Sequence, residues 1–174
     1  MNNVETNPLE ILYQDEYLVA INKPSGLLVH KSPIDKHETQ FALQMVRDQI
    51  GQYVYPIHRL DKPTSGVLLF ALDTQMAQTM SLLFRSSQVH KEYIAVVRGF
   101  TEDESLIDYP LKQMLDTKEQ KRKGMTKEVQ EAQTAYKRMA TVELPFPVSR
   151  YPVARYSLVK LFQKQEENIS SDGI

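Results

Sequence analysis

No cysteine occurs in the 174 residues. That absence excludes a disulfide framework, a cysteine-ligated zinc site and thiol catalysis. No run of about 18 apolar residues occurs either, so the sequence offers no membrane-spanning helix. The four histidines stand at 30, 37, 58 and 90, without a helical H-x-x-x-H pair, and no protein metal site is predicted. Residues 1–10 are polar and acidic and lack the basic-then-apolar layout of a secretory signal. The expected home is therefore the cytoplasm, and the sequon at Asn168-Ile169-Ser170 carries no weight.

What is present is ordinary globular material, 41% hydrophobic and 25% charged, in a chain long enough to bury a core. The net charge of −1 argues by itself for no polyanionic partner, but its distribution is uneven. Residues 111–140 hold eight Lys or Arg against four acids, whereas residues 1–60 hold five against seven. Such asymmetry allows a basic face on a neutral protein, as a nucleic-acid reader needs. From charge alone, Lys121-Arg122-Lys123 reads more simply as a solvated loop.

The hydrophobic pattern predicts a hairpin from residues 10–13 and 17–21 about the polar turn Gln14-Asp15-Glu16. Lys23-Pro24-Ser25-Gly26 is a turn by its chemistry, and 27–30 reads as a short strand. Apolar residues at 42, 45, 46 and 50 predict a helix over 38–50, with Gly51 at its C-terminal cap. Strands follow at 53–60 and 66–72. Asp73 or Thr74 caps a second helix with Met76, Ala77, Met80, Leu83 and Phe84 on one face. Residues 91–99, 133–144 and 153–162 read as further strands, and the charged stretch 116–131 as a loop or short exposed helix. Strands outnumber helices, and few have the helical crossover that parallel pairing requires. The predicted class is α+β, a mostly antiparallel mixed sheet with flanking helices. Residues 1–8 are expected to be a disordered segment, 9–162 the folded domain, and 163–174, nearly devoid of apolar residues, a disordered tail.

The chemistry concentrates in His58-Arg59-Leu60-Asp61-Lys62-Pro63-Thr64-Ser65-Gly66, a loop between predicted strands. One carboxylate sits between two cations, with Pro and Gly to restrict and reverse the backbone. That arrangement suits a carboxylate kept ionised by nearby positive charge, with cations left over for phosphate. On composition alone, Asp61 reads equally as one of the many turn aspartates, and that simpler reading is the favoured one.

The nine residues 58–66 resemble the signature loop of the RluA-type pseudouridine synthases, in which the aspartate of H-R-L-D is catalytic. Asn22-Lys23-Pro24-Ser25-Gly26 resembles the family's N-terminal motif, and Lys91-Glu92-Tyr93-Ile94-Ala95-Val96-Val97-Arg98-Gly99 its strand with an active-site tyrosine. The start at Leu9-Glu10-Ile11-Leu12-Tyr13 is similar to the branch that modifies uridine 65 of tRNA, as are Val46-Arg47-Asp48-Gln49-Ile50-Gly51 and Arg150-Tyr151-Pro152. The resemblance runs from about residue 9 to residue 161. It implies isomerisation of uridine to pseudouridine in RNA, tRNA by branch, with neither cofactor nor metal. Asp61 is the implied nucleophile or base. Tyr93 is implied to stack beneath the uracil near the proton lost from C5, although an alternating strand can equally place it in the core. Arg59 is implied to fill the gap left by the extruded base, and His58, Lys62 and Lys23 complete the expected RNA contacts.

The family's strand resembling residues 154–161 leads into a motif of the T-G-R-x-H-Q-I-R type, whose last arginine pairs with the catalytic aspartate. Here Gln163-Lys164-Gln165-Glu166-Glu167 follows, no arginine occurs after Arg155, and no histidine after His90. The resemblance thus implies a chain truncated before that arginine and the later strands. Removing one member of a buried ion pair costs on the order of 3–5 kcal/mol, so lineage and turnover are separate expectations. The alternatives are an RNA-binding remnant that uses Arg59, Lys62 and the basic loop 118–127, a synthase acting on ribosomal RNA, and an unrelated hydrolase with Asp61 as general base.

Overall fold

The chain opens with the predicted hairpin. β1 (Glu10–Gln14) pairs antiparallel with β2 (Leu18–Lys23). Asp15 holds the turn: its carboxylate accepts the Tyr17 and Leu18 N–H groups at 2.8 and 2.7 Å and the Tyr13 hydroxyl at 2.7 Å. These donors, the tyrosine hydroxyl first, hold its pKa below the ordinary aspartate value. The computed structural model describes residues 7–31, 38–86, 88–112, 129, 130 and 132–164. The chain divides into two compact units, Met1–Arg85 and Ser86–Ile174.

In the first unit β2 is central to a four-stranded antiparallel sheet, in the order β1-β2-β4-β3, where β3 is Tyr55–Pro56 and β4 is Gly66–Ala71. Val19 and Ile21 of β2 and Leu68 and Phe70 of β4 are buried with Val29, Val46 and Val54 in one cluster. Burying such a side chain contributes roughly 1.5–3 kcal/mol, and this cluster anchors the ends of β2 and β4 from which the site emerges. α1 (Ala42–Ile50) lays Ala42 and Val46 on the cluster and ends on Gly51, at φ +70°, whose N–H donates to Arg47 O at 2.9 Å. α2 (Thr74–Arg85) is capped by Asp73, which accepts the Met76 N–H at 2.7 Å. The predicted face of Met76, Ala77, Met80, Leu83 and Phe84 is half-buried.

Two predicted strands differ. Residues 27–30 make only a single parallel bridge, Leu28 to Phe41, because their carbonyls serve the start of α1. Leu28 O and Val29 O accept the Ala42 and Leu43 N–H groups at 2.8 and 3.0 Å. That replaces the side-chain cap which Phe41 cannot supply, and α1 accordingly begins at 42 rather than 38. The run 53–60 pairs only at Tyr55 and Pro56. Beyond Pro56 one backbone bond remains, from the Ile57 N–H to Leu69 O at 3.2 Å, and then a side chain takes over, as described below.

The second unit is a four-stranded antiparallel sheet in the order β5-β10-β9-β6. Its strands are β5 (Glu92–Arg98), β6 (Glu104–Asp108), β9 (Gln133–Leu144) and β10 (Ala154–Lys164), with β7 (Leu111–Lys112) and β8 (Val129–Gln130) as a separate pair. Strand β6 is missing from the sequence reading. It is an exposed edge strand that follows an acidic run and lacks a buried alternate row. Ser157 and Val159 of β10 are buried; the Ser157 hydroxyl donates to Gly99 O at 2.9 Å and accepts the Thr101 N–H at 3.0 Å. Every pairing between these strands is antiparallel, and with two helices the architecture is α+β. The segments 1–6 and 165–174, and nearly all of the charged stretch 116–131, lie outside the described residues.

Candidate active site

Register brings the two sequence motifs of the first unit together. Lys23, the last residue of β2, pairs with Gly66, the first of β4, so the turn after one strand and the loop before the other leave the sheet side by side. Backbone and hydroxyl contacts then tie them. Gly26 N–H donates to Lys62 O at 2.7 Å, and the Ser25 hydroxyl donates to Pro63 O at 2.7 Å. Gly26 takes φ +89°, which an L side chain disfavours and glycine adopts freely. Within the loop, Thr64 N–H donates to Asp61 O at 3.0 Å and closes a turn around Lys62 and Pro63.

Lys23 lies beneath this junction. The expectation that it contacts RNA meets a side chain with no exposed surface. Its ammonium donates to Leu27 O at 2.7 Å, Pro24 O at 3.0 Å and, at longer range, Lys62 O at 3.4 Å. Burial pushes its pKa below the ordinary lysine value, and the nearby Asp61 carboxylate opposes that shift. A lysine whose donors are used on three carbonyls positions the loop; it has no surface to offer a phosphate.

His58 is half-buried and structural in its contacts. Its Nε2 accepts the Leu69 N–H at 3.2 Å, beside the Ile57 N–H bond to Leu69 O, so an imidazole stands in for a backbone acceptor at the end of the ladder. The ring stacks on Phe84 of α2, centroids 4.7 Å apart and planes 13° from parallel. Arg59, Asp61 and Lys62 are exposed. Lys62 pairs with Glu38 at 2.6 Å, a contact between two solvated groups that is worth little in stability. Arg59 enters no ion pair among the described residues. The loop thus holds one exposed carboxylate and two exposed cations on a fixed backbone, above a buried ammonium.

Tyr93 belongs to the second unit. It pairs with Leu161 across β5 and β10 and is half-buried, alternating with exposed Glu92 and Ile94. Ser25, Glu38 and Phe84 complete the surroundings of the 58–66 loop without having been singled out by sequence. Phe84 was legible only as a core position, and Ser25 only as a member of the 22–26 turn motif. No group of three or more His, Cys, Asp or Glu among the described residues is placed to hold a metal ion. No helix among the described residues is long and apolar enough to cross a membrane.

The chain belongs to the RNA-modifying family that its motifs resemble: the family of RNA pseudouridylate synthases matches residues 17–166. Among curated proteins, the chain is 58% identical over 153 residues to tRNA pseudouridine synthase C of Pasteurella multocida, covering 88% of this chain and 63% of that protein. It is 58% identical over 153 residues to the protein of the same name from Haemophilus influenzae, covering 88% and 64%. Identity to the Vibrio cholerae protein of that name is 52% over 156 residues, covering 90% and 64%. The chain therefore spans a little under two thirds of the length of these relatives. Of solved structures, human RNA pseudouridylate synthase domain containing 4 aligns with a TM-score of 0.60 at 28% identity, over 90% of this chain and 59% of that one. Human RNA pseudouridylate synthase domain containing 1 shares the fold with a TM-score of 0.67 at 21% identity, over 95% and 62%.

Proposed function

We propose that the protein carrying this chain isomerises uridine to pseudouridine in tRNA, with Asp61 as its catalytic carboxylate. The observation that carries the reading is the junction of the two motifs: backbone and Lys23 contacts fix the loop while Asp61 itself stays exposed to a substrate. Such placement is how a scaffold prepares a reacting group before the substrate arrives. The relatives named tRNA pseudouridine synthase C support tRNA as the substrate, and the branch-like motifs in the sequence support uridine 65. The cytoplasm is the proposed place of action.

The reaction needs no net transfer to a co-reactant. The N1–C1′ bond of the uridine breaks, the uracil turns, and C5 bonds to C1′; the proton lost from C5 is balanced by one gained at N1. Asp61 serves at the sugar as nucleophile or at the uracil as base, and Tyr93 is proposed to support the ring. A base within a paired stem must first leave the stack, and exposed Arg59 is the side chain we assign to the vacated space. Lys62, exposed beside it, is assigned to phosphate. Lys23 and His58 act as positioning residues.

The test is pseudouridine formation on a tRNA with uridine at position 65, measured with the wild-type protein and Asp61→Asn. Turnover is expected to fall at least about 100-fold while tRNA affinity changes little. Turnover undiminished by Asp61→Asn refutes the assignment. Salt-dependent binding of tRNA without any turnover by the wild type supports the binding-only alternative instead.

A further inference from the structure

The second unit carries a cluster that the proposed chemistry does not use. After β9 the chain turns at Ser149 and Arg150. Val148 and Tyr151 exchange backbone hydrogen bonds at 3.0 and 3.2 Å, and Ser149 is the one described residue other than glycine at positive φ, +57°. This tight turn presents Arg150 and Tyr151 to solvent. The Arg150 guanidinium lies 5.3 Å from the Tyr151 ring centroid, and that of Arg98, from the end of β5, lies 5.4 Å from the same ring. Arg155 of β10 stands over Phe100 at 5.2 Å, and Arg98, Tyr151 and Arg155 line one open pocket with Gly99, Pro152 and Val153.

The charge here is unbalanced. Arg155 pairs with Glu143 at 2.5 Å, but among the described residues neither Arg98 nor Arg150 has a carboxylate partner. Two guanidiniums on one ring repel each other, and the ring's negative faces offset only part of that. A bound anion offsets the rest. Stacking on an aromatic ring also fixes the guanidinium planes, which reduces the side-chain entropy lost when each donates to phosphate oxygens. The pocket is open to solvent, which suits a chain of phosphates passing over it.

We propose that Arg98, Arg150 and Arg155, held by Tyr151 and Phe100, form a second RNA contact that grips the sugar–phosphate backbone. This rests on the reading that RNA is the substrate. The test is filter binding of tRNA by the wild-type protein and by the double variant Arg98→Gln, Arg150→Gln, between 50 and 200 mM salt. Each phosphate contact contributes about 0.7–0.9 to the slope of log affinity against log salt. The double variant is expected to bind about tenfold more weakly at the lower salt and to lose about 1–2 from the slope. The double variant Arg98→Lys, Arg150→Lys is expected to recover most of the slope. Should the glutamine pair fail to fold, the single Arg150→Gln change in the exposed turn decides, with a slope loss of about 1 expected. Wild-type slope in the glutamine variants overturns the proposal, as does a weakening that is the same at every salt concentration. If the wild type binds no RNA at all, the substrate reading and this contact both fall; if it binds and the variants match it, only the contact does.

Discussion

Replacing Lys23 by methionine keeps a long apolar stem in the core and removes only the ammonium, which makes the junction of the two motifs directly testable. Three carbonyls receive that ammonium, but they do not lose equally. Lys62 O keeps the Gly26 N–H at 2.7 Å, and its contact with Lys23 is the longest of the three. Pro24 O and Leu27 O lose their lysine donor at 3.0 and 2.7 Å. Hydrogen bonds to charged groups contribute about 1.5–3 kcal/mol each, and relief from burying an ammonium returns part of that. A net loss of about 2–3 kcal/mol is expected, roughly a 30- to 150-fold change in the unfolding equilibrium. Urea denaturation at pH 7.5, followed by circular dichroism with an unchanged m-value, measures it. The pH dependence gives a second, independent reading. Because burial lowers the Lys23 pKa, the folded state sheds its proton before the unfolded chain does. Between the lowered value and the ordinary 10.5, the unfolded state binds more protons, so wild-type stability rises with pH relative to the variant. The gap between the two proteins should therefore widen as pH is raised into that window. A gap near zero at pH 7.5 refutes the bracing role of Lys23, and one that narrows on raising the pH refutes the lowering of its pKa by burial.

Two further substitutions probe the scaffold. Gly26→Ala places a side chain at φ +89° where no atom lies within 4 Å of the new Cβ, so the cost is backbone strain alone. A loss of about 1–2 kcal/mol is expected in thermal unfolding, and an alanine variant as stable as the wild type removes the requirement for a left-handed residue there. Asp73→Ala leaves the Met76 N–H without its cap and should cost about 1 kcal/mol, most of it restored by Asp73→Asn. Equal destabilisation by alanine and asparagine, measured by urea titration, contradicts capping as the cause.

The strands that the sequence announced are those marked by runs of apolar or β-branched residues. β5 alternates without interruption, and the hairpin, β4 and the long pair β9 and β10 stand where the pattern puts them. The failures share a physical cause: their hydrogen bonds go to partners that periodicity does not encode. Residues 27–30 give their carbonyls to a helix start, and the ladder after Ile57 ends on the His58 imidazole. The 58–66 loop was legible as a chemical motif through its resemblance to a family signature, since its residue types alone read more simply as a turn. Which of its neighbouring cations meets solvent was not. Lys23 and Arg59 are both single positive charges in a sequence, yet one is fully buried and the other exposed. The difference depends on three carbonyls converging from residues as far apart as 24 and 62, which only the fold brings about.

That contrast separates stability from chemistry at adjacent positions. The loop's backbone is fixed by donors from Gly26, Ser25 and Lys23, and by the Thr64 N–H on Asp61 O. The last of these uses the main chain of Asp61, which any residue at 61 retains. The exposed Asp61 carboxylate serves the fold only through its attraction for the buried Lys23 ammonium, while Lys23 serves the fold directly and has no surface for a substrate. Asp61→Asn removes that attraction and should therefore cost about 1 kcal/mol or less, well below the loss in Lys23→Met, while turnover collapses. Lys23→Met should lower both together, because it loosens the support from which the carboxylate acts. Were Asp61→Asn to destabilise as strongly as Lys23→Met, Asp61 would be part of the brace, and the case for it as the reacting group would lose its structural basis.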